Sequence, residues 1–175
     1  MRTVKLYGKY AEYMKFLGEN EGKEENFRYF STFAEAYYFS ALYGCLNGRY
    51  ILSSDDDDKS SSIEQVEIKP EQLDKYRKTR TLILLTESAS GRDNSRKIDC
   101  IFRKDYKDME EQVENDNIIK SFSKGGLEAL YFKLQNVTTK EDAVRVLNDM
   151  ITNLAYDCGF KKSEESDSDF DDNYA

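Results

Sequence analysis

The chain has 175 residues, of which 39 % are hydrophobic, 34 % charged and 13 % aromatic. This length predicts one domain with a single core, and the aromatic content argues against a wholly disordered chain, because disordered chains are poor in rings. The net charge of -8 is concentrated in Asp55–Lys59 and in the tail 161–175, so that the rest of the chain carries only about -1. A folded body that imitates DNA through an acidic surface is therefore not expected.

The residue types on which many enzymes and metal sites depend are scarce. The chain has no histidine, so neither a Ser–His or Cys–His nucleophilic pair nor a histidine-bearing zinc site can form. Its three cysteines, Cys45, Cys100 and Cys158, include no CxxC pair, and this pattern predicts a reducing, cytoplasmic setting. We therefore expect a cytoplasmic protein that is not an enzyme and holds no metal ion or cofactor. No apolar run reaches membrane-spanning length, so no membrane partner is expected.

The first part of the chain contains two predicted helices. Residues Tyr7 to Leu17 place apolar side chains at three- and four-residue spacing, which predicts a short amphipathic helix that ends at Gly18. The second helix begins at Thr32, which forms a capping box with Glu35, and ends at Asn47-Gly48. Its many rings and alanines predict a central helix that is buried on much of its circumference.

An acidic insertion separates the second helix from the third. Residues 53–62, SSDDDDKSSS, predict a solvated loop. An extended piece leads from there to Pro70, a residue suited to the first turn of a helix. The helix from Glu71 to Ser88 is expected to break near Thr79–Thr81. Its apolar half, TLILLT, is expected to lie deep in the core, with a buried strand as the alternative.

The second half of the chain predicts a polar loop followed by helices and a tail. The loop is SGRDNSRK, residues 90–97. The helical patterns that follow are expected to be interrupted at Asn115–Asn117 and again at Gly125-Gly126. Residues 161–175 predict a disordered acidic tail.

These elements predict a mainly α-helical fold. We expect a single compact domain of five to seven helices over residues 1–160, with allowance for one or two short strands. The last helix is expected to begin at a capping box formed by Thr138 and Glu141. The helices at 32–47 and 140–156 are expected to form the centre, with the 79–87 segment packed against them.

Two clusters of basic residues raise the hypothesis of a nucleic-acid-binding module. The clusters span residues 75–80 and 92–104, and Tyr76 lies where it could stack against a base. The alternative is that these charges only solvate the outside of helices, and the whole body is not basic. The candidate contacts are Lys75, Arg77, Lys78, Arg80, Arg92, Arg96 and Lys97.

A glycine pair offers a second candidate site. The sequence Lys124-Gly125-Gly126 before Leu127 could present backbone amides to an anion at a helix N-terminus, although the order of a phosphate-binding P-loop is absent. The alternative is helix packing, because paired glycines let another helix approach closely. The core residues Phe122 and Leu127 on either side favour helix packing.

Three segments of the chain resemble a group of small bacterial accessory proteins. The segments are FSTFAEAYYFSALYGCLNGR, KPEQLDKYRKTRTLILLT and FSKGGLEALYFKL, and the group is encoded beside DNA-modification and restriction loci, notably the Dnd phosphorothioation systems. The features that carry the resemblance are Phe39–Gly44 and the glycine pair before Leu127. It implies a bacterial or phage setting and a role in a larger assembly concerned with DNA, and it transfers no functional residue.

The leading functional hypothesis is a non-catalytic interaction protein. It would be an accessory or regulatory subunit linked to bacterial or phage DNA modification, defence or counter-defence. The expected partner is another protein, with a second copy of the chain as one candidate, and nucleic acid would be contacted directly or through that partner. The hypothesis rests on the abundance of rings and the lack of an assembled catalytic group.

Overall fold

The computed structural model describes residues 2–19, 27–52, 64–104 and 108–157. The predicted acidic loop at 53–62 and the predicted disordered tail at 161–175 lie outside these residues. Within them the prediction of a mainly α-helical single domain is confirmed, with seven α-helices and one two-stranded sheet. The elements are β1 (Val4–Tyr7), α1 (Lys9–Gly18), α2 (Phe33–Leu46), β2 (Gln65–Ile68), α3 (Pro70–Leu73), α4 (Arg77–Thr86), α5 (Asn94–Asp99), α6 (Met109–Leu134) and α7 (Lys140–Asp157).

The small sheet closes one side of the helical core. Strands β1 and β2 run antiparallel, with Leu6 opposite Val66. Because side chains alternate across a strand, Leu6, Val66 and Ile68 point inward and are buried. The extended piece before Pro70 was predicted, whereas β1 was missed, although charged Lys5 between two apolar residues follows the same alternation.

The two N-terminal helices begin and end close to their predicted limits. The Thr32 hydroxyl oxygen accepts a hydrogen bond from the Glu35 backbone N–H at 3.1 Å, which caps the start of α2. The Glu35 carboxylate in turn accepts from the backbone N–H of Ser31 at 3.0 Å. At the other end Gly48 adopts a φ of 62°, the left-handed conformation that terminates a helix.

The centre of the core is the crossing of α2 and α6. A Cβ atom added at Gly44 of α2 would overlap the carbonyl oxygen of Phe122, and one added at Gly126 would overlap the carbonyl oxygen of Ser40. The two backbones are therefore in direct contact over about one helical turn. The prediction that α7 is the central partner of α2 is wrong, since α6 makes the most extensive contacts with α2.

The 26-residue helix α6 continues through both predicted interruptions. Asn115 is fully buried, and its side-chain oxygen accepts a hydrogen bond from Arg92 at 2.6 Å. Gly125 and Gly126 lie within a run of seven successive buried residues, 121–127. Tertiary contacts therefore offset the weak helix propensity of asparagine and glycine.

The region between β2 and α6 differs from the prediction in three ways. The helix that starts at Pro70 changes to a 3-10 turn at Asp74–Tyr76, earlier than the predicted break. The TLILLT segment is helical but only half-buried, because Leu82 is 49 % exposed. The predicted polar loop contains the first turn of α5, which Asp93 caps by accepting from the Arg96 backbone N–H at 2.7 Å.

The last helix begins one residue later than its predicted capping box. Thr139, rather than Thr138, accepts a hydrogen bond from the backbone N–H of Asp142 at 3.2 Å. Helix α7 then contributes Ala143 and Met150 to the core. It lies at the side of the molecule, where it contacts α6.

Candidate interaction surface

The most distinctive surface feature is an apolar groove between α2 and α7. Its cavity has a volume of about 420 Å³. No charged side chain lines it, and two of its apolar side chains are substantially exposed, Leu46 at 41 % and Ile151 at 49 %. We call this feature the α2–α7 groove. Its lining residues are Phe39, Leu42, Tyr43, Leu46, Ile151, Leu154 and Ala155.

The groove exists because α2 is apolar on more than one side. Ser40 and Gly44 face α6 at the close crossing, while Phe39, Leu42 and Leu46 line the groove on the α7 side. A helix that is apolar all round normally lies wholly inside a protein. Here α7 covers the second apolar side only in part, so an apolar strip of α2 remains accessible.

Helix α7 carries a stripe of four apolar side chains, some of which pack against the core while others are exposed. Val144, Leu147, Ile151 and Leu154 follow one another at spacings of three, four and three residues. Leu147 and Leu154 are half-buried against the core, whereas Val144 and Ile151 are each 49 % exposed. The helix at 140–156 was predicted to lie at the centre, whereas the structure leaves part of its apolar stripe outside the core.

The groove offers no reactive group. Beside it, the Cys45 Sγ lies 3.8 Å from the Thr86 hydroxyl. Burial raises the pKa of the Cys45 thiol above its ordinary value, which disfavours the nucleophilic thiolate. The chemistry available in the groove is therefore apolar burial alone.

The structure does not bring the basic cluster at 75–80 together as a surface strip. Lys75 and Lys78 are exposed, and Arg77 is exposed and paired with Asp74 at 3.1 Å. The Arg80 side chain is only 5 % exposed and pairs with Asp116 at 3.0 Å. Tyr76 stacks on the ring of Tyr38, with 5.3 Å between the centroids.

The cluster at 92–104 likewise contains both buried and exposed basic side chains. The Arg92 guanidinium is buried and lies 3.3 Å from Glu111 and 2.8 Å from Glu114. Lys97 is buried and donates to the backbone carbonyl oxygen of Glu87. Arg96 is exposed. Of the seven candidate contacts, Arg80, Arg92 and Lys97 are thus structural ion-pair partners rather than surface charges.

The candidate site at the glycine pair contributes to helix packing. Lys124 is buried, and its Nζ lies 5.0 Å from the centre of the Tyr10 ring, within range of a cation–π interaction. A Cβ at Gly125 would overlap the carbonyl oxygen of Arg49, which leaves no room for an anion on that side. The predicted helix N-terminus here is wrong, because both glycines lie inside α6 and their amides belong to its helical ladder.

Carboxylates converge at one surface cavity of about 440 Å³ on α5. Asp93 caps the helix, and Asp99 pairs with Arg103 at 3.2 Å, so both acids serve α5 itself. Within the described ranges no group of three or more Cys, Asp or Glu side chains is arranged to hold a metal ion.

No described helix is both long enough and apolar enough to cross a bilayer.

Comparisons of the chain with protein-family models, with curated proteins and with solved structures find no match. The resemblance to accessory proteins of DNA-modification loci therefore stays a prediction.

Proposed function

We propose that this chain is a non-catalytic interaction subunit that binds the apolar side of an amphipathic helix of another protein in the α2–α7 groove. The observation that supports the proposal is an accessible groove lined by apolar side chains without a single charge. Covering such a surface is favourable by roughly 25 cal/mol for each Å² removed from water. Contiguous apolar surface, when it is extensive, marks contact sites in proteins.

The spacing along α7 favours a helix as the bound element. β-branched residues at Val144 and Ile151 alternate with Leu147 and Leu154 in the heptad order typical of two-stranded helix packing. Ile151, one of the two exposed members of this stripe, lines the groove, so a second helix laid along α7 would cover Ile151 and Leu46 together. An amphipathic helix presents a complementary stripe at the same spacing.

The exposed rings contribute less to the proposal than the sequence suggested. Most aromatic rings of α2 pack in the core, and Tyr37 and Tyr38 are examples. Among the described residues the substantially exposed rings are Phe102, Phe132 and Tyr156. The surface that supports an interaction is therefore mainly aliphatic.

The setting of the partner is the second part of the proposal. We propose an accessory or regulatory role in bacterial or phage DNA modification, defence or counter-defence. Only the resemblance supports this part. The nucleic-acid-binding alternative is not favoured, because three of its seven contacts are buried in ion pairs.

The test is a quantitative capture experiment in native lysate with three baits: the unchanged chain, Ile151→Glu and Leu82→Glu. Ile151 and Leu82 are both 49 % exposed on helices, but only Ile151 lines the groove. We expect at least one protein to be held by the unchanged chain and by Leu82→Glu and lost with Ile151→Glu. Retention of every captured protein by Ile151→Glu would refute the proposal.

Light scattering on the purified chain identifies the occupant. A monomer in isolation, together with a partner lost from the groove variant, supports binding of another protein. A dimer that Ile151→Glu dissociates and Leu82→Glu preserves would instead assign the groove to a second copy of the chain. A captured partner that modifies or cleaves DNA would support the proposed setting.

A further inference from the structure

A second cavity, distinct in its chemistry from the α2–α7 groove, lies between β1 and the first half of α6. Its volume is about 230 Å³. The side chains around it are polar or charged apart from one valine. They are Arg2, Thr3, Val4, Lys5, Tyr7, Asp116, Asn117 and Lys120.

The charge of this cavity is opposite to that of the whole chain. Three cations, Arg2, Lys5 and Lys120, face a single acid, Asp116. The Asp116 carboxylate is held at 3.0 Å by Arg80, which lies buried behind it. The local excess is therefore positive, although the chain carries a net charge of -8. A concave site of one sign concentrates ligands of the opposite sign.

Lys5 has a partner that would compete with a bound anion, but that pair is weak. Lys5 lies 3.6 Å from Glu67 across the two strands, and both side chains are about half exposed. Exposed pairs of this kind contribute roughly 0–1 kcal/mol. An anion in the cavity can therefore recruit Lys5 at little cost.

The backbone of β1 adds neutral hydrogen-bonding groups to the cavity. In the described part of the chain the sheet has two strands, so the side of β1 away from β2 is an open edge. Alternate backbone N–H and C=O groups of such a strand point outward. Successive residues Thr3, Val4 and Lys5 line the cavity, so it lies alongside the start of β1.

We propose that this cavity binds a phosphate monoester, the class of anion that includes mononucleotides. Cationic side chains together with the Thr3 hydroxyl and the Asn117 amide are the donors that phosphate oxygens accept from. The volume is below the roughly 300 Å³ at which ordinary ligand pockets begin, so the cavity suits the phosphate group rather than the whole of a larger ligand. Tyr7 places an aromatic ring in the lining, against which a base can stack.

The first experiment measures the affinity for AMP by titration calorimetry at about 50 mM salt. We expect Arg2→Gln and Lys120→Gln each to weaken binding about tenfold, and added salt to weaken binding to the unchanged chain. The matched control is Lys75→Gln/Lys78→Gln, which removes two exposed charges outside the cavity. A control that weakens AMP as much as the cavity variants do would overturn the proposal.

Further ligands identify the source of the phosphate. Binding of AMP together with inorganic phosphate, but not adenosine, supports recognition of the phosphate group. We also compare a single-stranded oligonucleotide that carries a 5′-phosphate with one that carries a 5′-hydroxyl. Tighter binding of the 5′-phosphate form supports a nucleic-acid terminus as the natural source. Equal binding of the two, or binding of neither, supports a free nucleotide. Absence of AMP and phosphate binding up to about 1 mM would overturn the proposal.

Discussion

At the scale of single residues, three basic side chains of the two predicted clusters are used for internal pairing. Arg80 and Arg92 are buried and pair with acids of α6, and the buried Lys97 donates to the backbone carbonyl oxygen of Glu87. Sequence reasoning placed all three in surface clusters. It failed because Arg80 and Asp116 are separated by 36 positions, and no local pattern reports a pairing of that range.

The Arg80–Asp116 pair gives the first prediction. Arg80→Met removes the buried cation that pairs with the largely buried Asp116 carboxylate, and we expect the free energy of unfolding to fall by about 3 kcal/mol. The neighbouring exposed control, Lys78→Met, should change it by less than about 0.5 kcal/mol. Urea unfolding at neutral pH measures both. Equal stability of the two variants would contradict the structural role of Arg80.

Tyr29 gives a prediction for alkaline pH. Its hydroxyl donates to the carbonyl oxygens of Leu134 and Val137, and burial raises its pKa to about 12. The unfolded chain loses this proton near pH 10. The pKa of Tyr29 is higher in the folded state than in the unfolded state. Its protonated hydroxyl therefore contributes fully to the free energy of unfolding below about pH 10, and this contribution is lost as the pH rises toward about 12.

The variant Tyr29→Phe keeps the ring and removes the titrating group. We therefore expect the free energy of unfolding of Tyr29→Phe to fall less steeply between about pH 10 and 12 than that of the unchanged chain. Tyr156→Phe, which changes a ring that is 51 % exposed, should keep the original slope. An unchanged slope in Tyr29→Phe would show that the hydroxyl does not hold its proton in the folded state.

At the scale of elements, the backbones of α2 and α6 are in direct contact where the two helices cross. Gly126→Ala would drive a methyl group into the carbonyl oxygen of Ser40, and helix backbones cannot rotate away as side chains can. We expect a loss of about 3 kcal/mol or more in the free energy of unfolding.

The matched control is Gly18→Ala, at the end of α1. Its Cβ would lie 2.6 Å from the Phe33 ring, which is half-buried and can move aside. Alanine also favours the helix by up to about 1 kcal/mol over glycine, so the net change should stay within about 1 kcal/mol. Chemical denaturation that ranks the two variants equally would rule out the close crossing.

The start of α7 provides a test of a predicted boundary against the observed one. Thr139→Ala removes the hydrogen bond to the Asp142 N–H and should cost about 1 kcal/mol. Thr138→Ala should cost much less, because Thr138 is exposed and lies outside the cap. Thermal unfolding distinguishes the two, and a larger loss for Thr138→Ala would restore the predicted cap.

Sequence signals located most helices but predicted the wrong partner for α2 at the centre of the core. Caps are local, so Thr32, Gly48 and Pro70 could be recognised from neighbouring residues alone. The order of importance was reversed, since α7 has the cleaner apolar stripe and was placed at the centre. A clean stripe indicates a helix with one side in water, whereas α6, with seven successive buried residues, blurs the period.

At the scale of the whole molecule, the two candidate sites differ in how far the sequence could reveal them. The α2–α7 groove is made from residues that were predicted to be core, so its composition was visible but its accessibility was not. The cationic cavity joins Arg2 and Lys5 to Lys120, which are separated by more than a hundred positions. Its formation depends on β1 lying beside α6, and β1 was not predicted.

The central claim is that the α2–α7 groove is the contact surface of an interaction subunit. Hydrogen exchange of the chain, alone and in complex with its captured partner, tests this claim most directly. We expect the complex to slow exchange in residues 39–46 and 147–155 and to leave the outer face of α5, around Ile98, unchanged. Slower exchange around Ile98 and Phe102 with no change in α2 and α7 would contradict the account.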